Sequence, residues 1–124
     1  MSTSRILIVD DDPALLAALS GALKLRMSDL VVETCDSALT AIQKISHSEF
    51  DAVVTDIKMP GMSGRELGRI IEERWPGKPI LYMSGFASEV FRDGLLEPGA
   101  PFLAKPFTQD DLAAKVRVML EPER

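Results

Sequence analysis

Short apolar runs alternate along this chain with segments in which apolar residues recur at helical spacing. The runs lie at residues 6–9, 30–34, 52–55, 80–83 and 102–104. Most are too short and too uniformly apolar for half-exposed antiparallel strands, so we expect them in the middle of a parallel sheet. The alternation predicts an α/β fold with helices on both faces of that sheet.

Apolar stripes at helical spacing predict the helices between these runs, and polar residues mark where three of them begin. Residues 85–100, "GFASEVFRDGLLEPGA", predict only a short, mobile fourth helix, because Gly94 interrupts the pattern and Pro98-Gly99 ends it. The other stripes are Leu15, Leu16, Leu19 and Leu23 after Pro13; Ala38, Ile42 and Ile45 after Asp36 or Ser37; Leu67, Ile70 and Ile71 after Ser63-x-x-Glu66; and Leu112, Val116, Met119 and Leu120 after Thr108-x-x-Asp111.

Composition and charge narrow the class of protein. The 124 residues suit a single domain spanning 1–124, and a net charge of −5 argues against nucleic acid or an anionic membrane surface as a direct partner. Cys35 is the only cysteine, which excludes an internal disulfide and favours a reducing compartment. With no signal-peptide pattern and no apolar stretch of ~18 residues, we expect a cytoplasmic protein.

Polar residues stand directly after four of the five predicted strands. Asp10, Asp11 and Asp12 follow the first, Asp56 the third, Ser84 the fourth and Lys105 the fifth. The carboxyl ends of parallel strands share one edge of the sheet, where ligands bind. We therefore expect acids, a hydroxyl and an amine to meet at one place, which is typical of a functional site.

The residue types at this edge point to phosphoryl chemistry. Asp10 or Asp11, together with Asp56, supplies hard oxygen ligands of the kind that Mg²⁺ binds. Phosphate oxygens often complete the coordination shell of this ion. Lys105 and Ser84 can bind a phosphoryl group through a charge and a hydrogen bond. An aspartate can also be the nucleophile and form an aspartyl-phosphate. Asp12 is more simply a residue of the helix start.

Four motifs carry a resemblance that covers the whole chain: "ILIVDDD", "VVTDIKMPGMSG", "YMSGF" and "FLAKPF". In this order and spacing the chain resembles the receiver domain of two-component response regulators. The resemblance implies a flavodoxin-like, doubly wound (βα)5 three-layer sandwich with a five-stranded parallel sheet in the order 2-1-3-4-5. It also implies dependence on Mg²⁺, with Mn²⁺ as a substitute.

The resemblance assigns roles by position. Asp56 matches the phosphoacceptor, Asp11 the direct metal ligand, and Asp10 the acid that acts through metal-bound water. Lys58 matches the position whose backbone carbonyl binds the metal. Ser84 and Lys105 match the hydroxyl and amine that contact the phosphoryl group, and Pro106 implies a cis peptide bond after Lys105.

One aromatic residue departs from the common pattern of the family, and another lies where dephosphorylation is tuned. Phe102 stands at the switch position where many receivers have tyrosine, so it has no hydroxyl to bond when turned outward. Phe86 and Lys58 resemble the pair that tunes dephosphorylation. An apolar ring beside the path of the attacking water predicts a phosphoryl group of moderate to long life.

The implied partners are a histidine kinase or histidine phosphotransfer protein, and an unknown downstream effector. The output face would combine the fourth helix, the fifth strand and the fifth helix, with a homodimer through it as one option. The chain would be no conventional enzyme, although it assists its own phosphorylation and dephosphorylation. It would either stand alone or derive from a larger regulator or hybrid kinase.

Three other functions compete with the receiver interpretation. A dehalogenase-type phosphatase needs D-x-D-x-T, and Ala14 replaces the threonine. An EF-hand loop is broken at Ala14 and Leu15. A phosphorylation-independent adaptor of the same fold is the serious rival, and the intact set of site residues argues against it.

Overall fold

A computed structural model describes residues 3–85, 94, 96 and 99–121 of the chain. Five parallel strands form one sheet in the order β2-β1-β3-β4-β5, which confirms the predicted fold. The strands are β1 (Ser4–Val9), β2 (Leu30–Cys35), β3 (Ala52–Asp56), β4 (Ile80–Ser84) and β5 (Phe102–Ala104). Each predicted run lies inside a strand, and the strands differ from the runs by two residues at most.

The described residues contain four helices, all of which were predicted. They are α1 (Pro13–Arg26), α2 (Ala38–His47), α3 (Gly64–Arg74) and α4 (Gln109–Leu120), so α4 is the last of the five predicted helices. The predicted fourth helix falls almost entirely outside the described residues. No helix in the described part of the chain combines the length and the apolar character that a bilayer crossing requires.

Alternating side chains divide the core into two layers, one on each face of the sheet. Leu7, Val9 and Val53 pack on the face that α2 and α3 cover. Ile6, Ile8 and Val54 pack on the opposite face with buried residues of α1 and α4. This period-two division is what a strand covered on both faces requires, and it makes the three-layer sandwich.

Side chains at the first turn begin the helices where the sequence predicted. Ser37, rather than the alternative Asp36, caps α2 by accepting a hydrogen bond from the Thr40 amide. Thr108 and Asp111 form a complete capping box at α4. At α3 the predicted box is only half formed, because Ser63 accepts from the Glu66 amide while the Glu66 carboxylate approaches the Ser63 hydroxyl.

The two edge strands of the sheet are short or charged. β5 has three residues, and β2 carries Glu33. The Glu33 carboxylate lies 2.7 Å from the Arg5 guanidinium of β1 and 3.4 Å from the Lys44 ammonium of α2. These two ion pairs, which share Glu33, connect the β2 edge to the neighbouring strand and helix.

Candidate functional site

The carboxyl edge of the sheet brings together the polar residues that the sequence placed after the strands. Asp10 and Lys105 follow β1 and β5, whereas Asp56 and Ser84 are the last residues of β3 and β4. Asp10, Asp56 and Ser84 are buried, with 1%, 8% and 1% of their surface exposed. Buried polar side chains in adjacent strands are the hallmark of a binding crevice in an open parallel sheet.

Three carboxylates lie close enough to share one cation. Asp10, Asp11 and Asp56 each present an oxygen that lies within 4.8 Å of those of the other two. Asp11 is exposed, so it forms the solvent side of the cluster. The geometry agrees with the prediction that this group can hold a metal.

The Lys105 ammonium lies inside this cluster. It lies 3.0 Å from Asp10 Oδ2 and 3.4 Å from Asp56 Oδ1. Burial alone would lower the pKa of the Lys105 ammonium, but the ion pairs with Asp10 and Asp56 outweigh it and raise the pKa above its ordinary value. Lys105 therefore remains charged throughout the physiological range.

The charge balance at Asp56 favours an additional cation. Burial raises the pKa of the Asp56 carboxyl above its ordinary value, Lys105 opposes that rise, and Asp10 and Asp11 add to it. Three carboxylates carry more negative charge than the Lys105 ammonium offsets, and carboxylate oxygens are the donors that Mg²⁺ prefers. The residues present thus fit a magnesium ion.

The third aspartate of the "DDD" run has a different task. Asp12 caps α1, where its side chain accepts hydrogen bonds from the amides of Ala14 and Leu15 at 3.0 and 3.3 Å. The Asp12 amide in turn donates to Asp10 Oδ1 at 3.0 Å. Asp12 is a helix-start residue as predicted, and its backbone also fixes the orientation of Asp10.

Close packing of α3 positions the end of β3. A Cβ atom at Gly64 would lie 1.9 Å from the Asp56 carbonyl oxygen, so only glycine allows this approach. The Gly64 amide donates to the Ile57 carbonyl at 2.8 Å. This role of Gly64 was not predicted from the sequence, although the glycine directly after the Ser63 cap was a usable signal.

The structure describes most of the remaining predicted site residues. Lys105–Pro106 is a cis peptide bond, as predicted. Lys58 is exposed beside the site, and Phe102 is half-buried against the core layer beneath α2 and α3. Phe86 lies outside the described residues. The roles of Lys58, Phe86 and Phe102 in metal binding, tuning and switching stay predictions.

Comparison with known proteins decides the family. The family model described as "Response regulator receiver domain" matches residues 6–117. The chain belongs to the response regulator receiver domain family. As a receiver domain it is part of a two-component system, and its cluster of Asp10, Asp11 and Asp56 fits the Mg²⁺ site of such domains.

Curated relatives of this receiver domain are response regulators. The chain is 37% identical over 109 residues to the response regulator protein FleR of Pseudomonas aeruginosa, covering 84% of this chain and 22% of FleR. It is 33% identical over 119 residues to the response regulator protein TodT of Pseudomonas putida, covering 95% of this chain and 52% of TodT. The receiver domain thus spans about half of TodT or less than a quarter of FleR.

Solved structures confirm the fold of this receiver domain. The response regulator TrrA of Thermotoga maritima, solved in complex with Mg²⁺ and BeF, has a TM-score of 0.82 and 28% identity, covering 94% of this chain and 99% of TrrA. A response regulator receiver protein of Sinorhizobium medicae has a TM-score of 0.81 and 31% identity. The match covers 96% of this chain and 95% of the Sinorhizobium protein.

Proposed function

We propose that this receiver domain accepts a phosphoryl group on the Asp56 carboxylate in a magnesium-dependent reaction. The observation that carries the proposal is the position of Asp56, which shares the acidic cluster with Asp10 and Asp11 and lies 3.4 Å from the Lys105 ammonium. A carboxylate beside a fixed cation and a divalent-metal cluster is suited to phosphoryl transfer, where positioning and charge neutralisation dominate catalysis.

The donor is a phosphohistidine of a histidine kinase or histidine phosphotransfer protein. An Asp56 carboxylate oxygen attacks phosphorus, the new O–P bond forms as the P–N bond breaks, and the released imidazole keeps the electron pair of that bond. The Lys105 ammonium, already held by Asp10, neutralises charge on the phosphoryl oxygens. The Ser84 hydroxyl, at the end of the adjacent strand, donates a hydrogen bond to the product.

Asp11, Asp56 and the backbone carbonyl of Lys58 would hold Mg²⁺ directly, and Asp10 would act through metal-bound water. The bound ion supplies further positive charge to the phosphoryl oxygens and the carboxylate. Mn²⁺ is expected to substitute for it. The chain is then no conventional enzyme, because the group that it helps to transfer stays on its own Asp56.

The signal leaves through a change of charge at the carboxyl edge. Phosphorylation adds about −1.5 to −2 charges at Asp56, which draws in Ser84 and shifts Phe102 together with the face of the predicted fourth helix, β5 and α4. That face would bind an unknown effector in the cytoplasm or a second copy of the chain.

Mass spectrometry of the protein incubated with acetyl phosphate and Mg²⁺ tests the proposal. The wild type should gain one phosphoryl group, and Asp56→Asn should gain none. The matched control is Asp51→Asn, which makes the same change at the opposite end of β3, where Asp51 accepts a hydrogen bond from the Arg5 amide. Asp11→Asn should slow the reaction and raise the Mg²⁺ concentration it needs.

Each result decides between receiver and adaptor. A phosphoryl group on the wild type and on Asp51→Asn, with none on Asp56→Asn, supports phosphorylation of Asp56. Equal labelling of wild type and Asp56→Asn, or no labelling of either, contradicts it. The second of these outcomes favours the phosphorylation-independent adaptor.

A further inference from the structure

A second polar site lies away from the acidic cluster, between α3, β4 and the residues that precede β5. It is a cavity of about 240 Å³, lined by Arg65, Glu72, Lys78, Ile80, Tyr82 and Ala100, with Leu96 and Pro101 completing its wall. None of these residues belongs to the carboxylate cluster. The cavity has no part in the proposed phosphorylation of Asp56.

The centre of this site is a largely buried guanidinium. The side chain of Arg65 is only 17% exposed. Its Nη1 donates to the Tyr82 hydroxyl at 3.2 Å and lies 3.6 Å from a carboxylate oxygen of Glu72. Because the Glu72 side chain is 59% exposed, water screens that ion pair and weakens its compensation of the Arg65 charge.

One donor of Arg65 has no acceptor. Among the described residues, Arg65 Nε is the one buried side-chain nitrogen or oxygen that lacks a hydrogen-bond partner. Buried polar groups in proteins are almost always paired, and an orphaned donor on a charged group is especially unfavourable. An acceptor supplied by a ligand would remove this deficit.

The neighbouring groups make the site attractive to an anion. The Tyr82 oxygen accepts from Arg65, which leaves its own proton available for donation. Lys78 lines the same cavity, and its ammonium donates to the Phe50 carbonyl. The lining residues thus include two basic side chains and one acidic side chain, so their formal charges sum to a net positive charge.

The walls of the cavity limit what kind of anion fits. Ile80, Leu96, Ala100 and Pro101 offer only apolar side chains. Apolar walls around a guanidinium suit an organic acid, whose carboxylate matches the planar guanidinium fork.

We propose that the Arg65–Tyr82 cavity binds a small organic carboxylate, with the carboxylate on Arg65 and a short apolar chain against Ile80 and Ala100. The inference is independent of phosphorylation at Asp56, because binding is to the unphosphorylated chain. Tyr82 pairs with Phe102 in the sheet register and lies two residues before Ser84, so the ligand would sit beside the proposed switch position.

Nuclear magnetic resonance titration with sodium butyrate, at ionic strength held constant with sodium chloride, tests this site. The Nε–H signal of Arg65 and the amides of Ile80 and Ala100 should shift and saturate at millimolar butyrate. Arg65→Met should weaken binding about tenfold or more, since a charge-assisted contact is lost. Arg74→Met, an exposed arginine at the end of the same helix, should bind like the wild type.

Two further variants keep the test decisive. Arg65→Lys retains the charge without the fork and should also bind weakly, which covers the case in which Arg65→Met fails to fold. Tyr82→Phe should bind a few-fold more weakly. Shifts that stay linear in butyrate, or that persist in both Arg65 variants, overturn the proposal. Equal saturation by inorganic phosphate overturns the assignment to an organic acid.

Discussion

The Lys105 ammonium lies 3.0 Å from Asp10 Oδ2, although the two residues are 95 positions apart in the chain. The contact joins the end of β5 to the end of β1 across the two strands between them. The Lys105 amide also donates to the Ser84 carbonyl at 2.8 Å. Lys105 is therefore fixed both by its side chain and by its backbone before any ligand arrives.

This ion pair predicts that Lys105 competes with Mg²⁺ for the acidic cluster. Replacing Lys105 by methionine removes a positive charge within 3.4 Å of Asp56. The metal should then bind more tightly by roughly three- to tenfold, because repulsion between the two cations is gone. Isothermal titration calorimetry measures the affinity, with Lys24→Met on the exposed side of α1 as the control. Weaker binding in Lys105→Met would show that the lysine organises the ligands instead.

Asp56→Asn should stabilise the metal-free protein at neutral pH. Burial raises the pKa of Asp56, so the folded protein binds this proton more tightly than the unfolded chain does. The carboxyl contributes stability below its unfolded pKa of about 3.9, and that contribution is lost as the pH rises through the folded value. The free energy of unfolding at pH 7 should rise by about 1 kcal/mol in Asp56→Asn.

Urea denaturation at pH 7 and pH 3.5 checks this sign. The difference between Asp56→Asn and the wild type should shrink at the lower pH, because the unfolded chain also takes up the Asp56 proton below its pKa of about 3.9. Saturating Mg²⁺ should favour the wild type instead, since it binds the intact cluster in the folded state. An asparagine variant that is less stable at pH 7 without metal would contradict the prediction.

Gly68→Ala should destabilise the protein through contact with Tyr82. A Cβ atom at position 68 would lie 1.8 Å from the Tyr82 hydroxyl oxygen and 2.8 Å from its ring carbon Cζ. Relieving such overlap costs about 1–3 kcal/mol in a packed interior. In the double variant Gly68→Ala/Tyr82→Phe, part of that loss should return, because the closest atom is absent. A double-mutant cycle from thermal unfolding measures the coupling, and strictly additive effects would refute the direct contact.

Cys35 should react with alkylating agents only when the protein unfolds. The thiol is 7% exposed, and burial raises its pKa from 9.0 to about 11. The folded state thus retains the thiol proton, and the stability that this provides is lost as the pH rises from about 9 towards 11. Iodoacetamide labelling at pH 8, followed by mass spectrometry, should be slow in buffer and fast in denaturing urea. Fast labelling of the folded protein would contradict the burial of Cys35.

The fold was predictable because its signals are local. A predominantly apolar run such as residues 52–55 indicates a strand that is buried on both faces, and β3 is buried along its whole length. Caps are equally local, and Ser37 and Thr108 begin their helices where expected. The convergence of Asp10, Asp56, Ser84 and Lys105 followed from a rule of sheet topology and needed no distances.

Contacts between distant elements were beyond the sequence. Nothing in the spacing shows that Lys105 pairs with Asp10, because that depends on the side-chain geometry of two strands. The space that Gly68 leaves for the Tyr82 hydroxyl could not be predicted either. An isolated glycine in a helical pattern indicates only a position of low helix propensity. The half-formed capping box at Ser63 shows that even a local motif can bond differently from its pattern.

The charged β2 edge has a consequence for how the molecule behaves at high concentration. An edge strand offers unpaired backbone groups to which another chain can add, and charged side chains on or beside it discourage such pairing. Glu33, Arg5 and Lys44 place charges beside one edge, and β5 ends the other after three residues. Edge-to-edge pairing of sheets from different molecules is therefore disfavoured at both ends. Many copies can coexist in a crowded solution, with their helical faces still exposed to solvent.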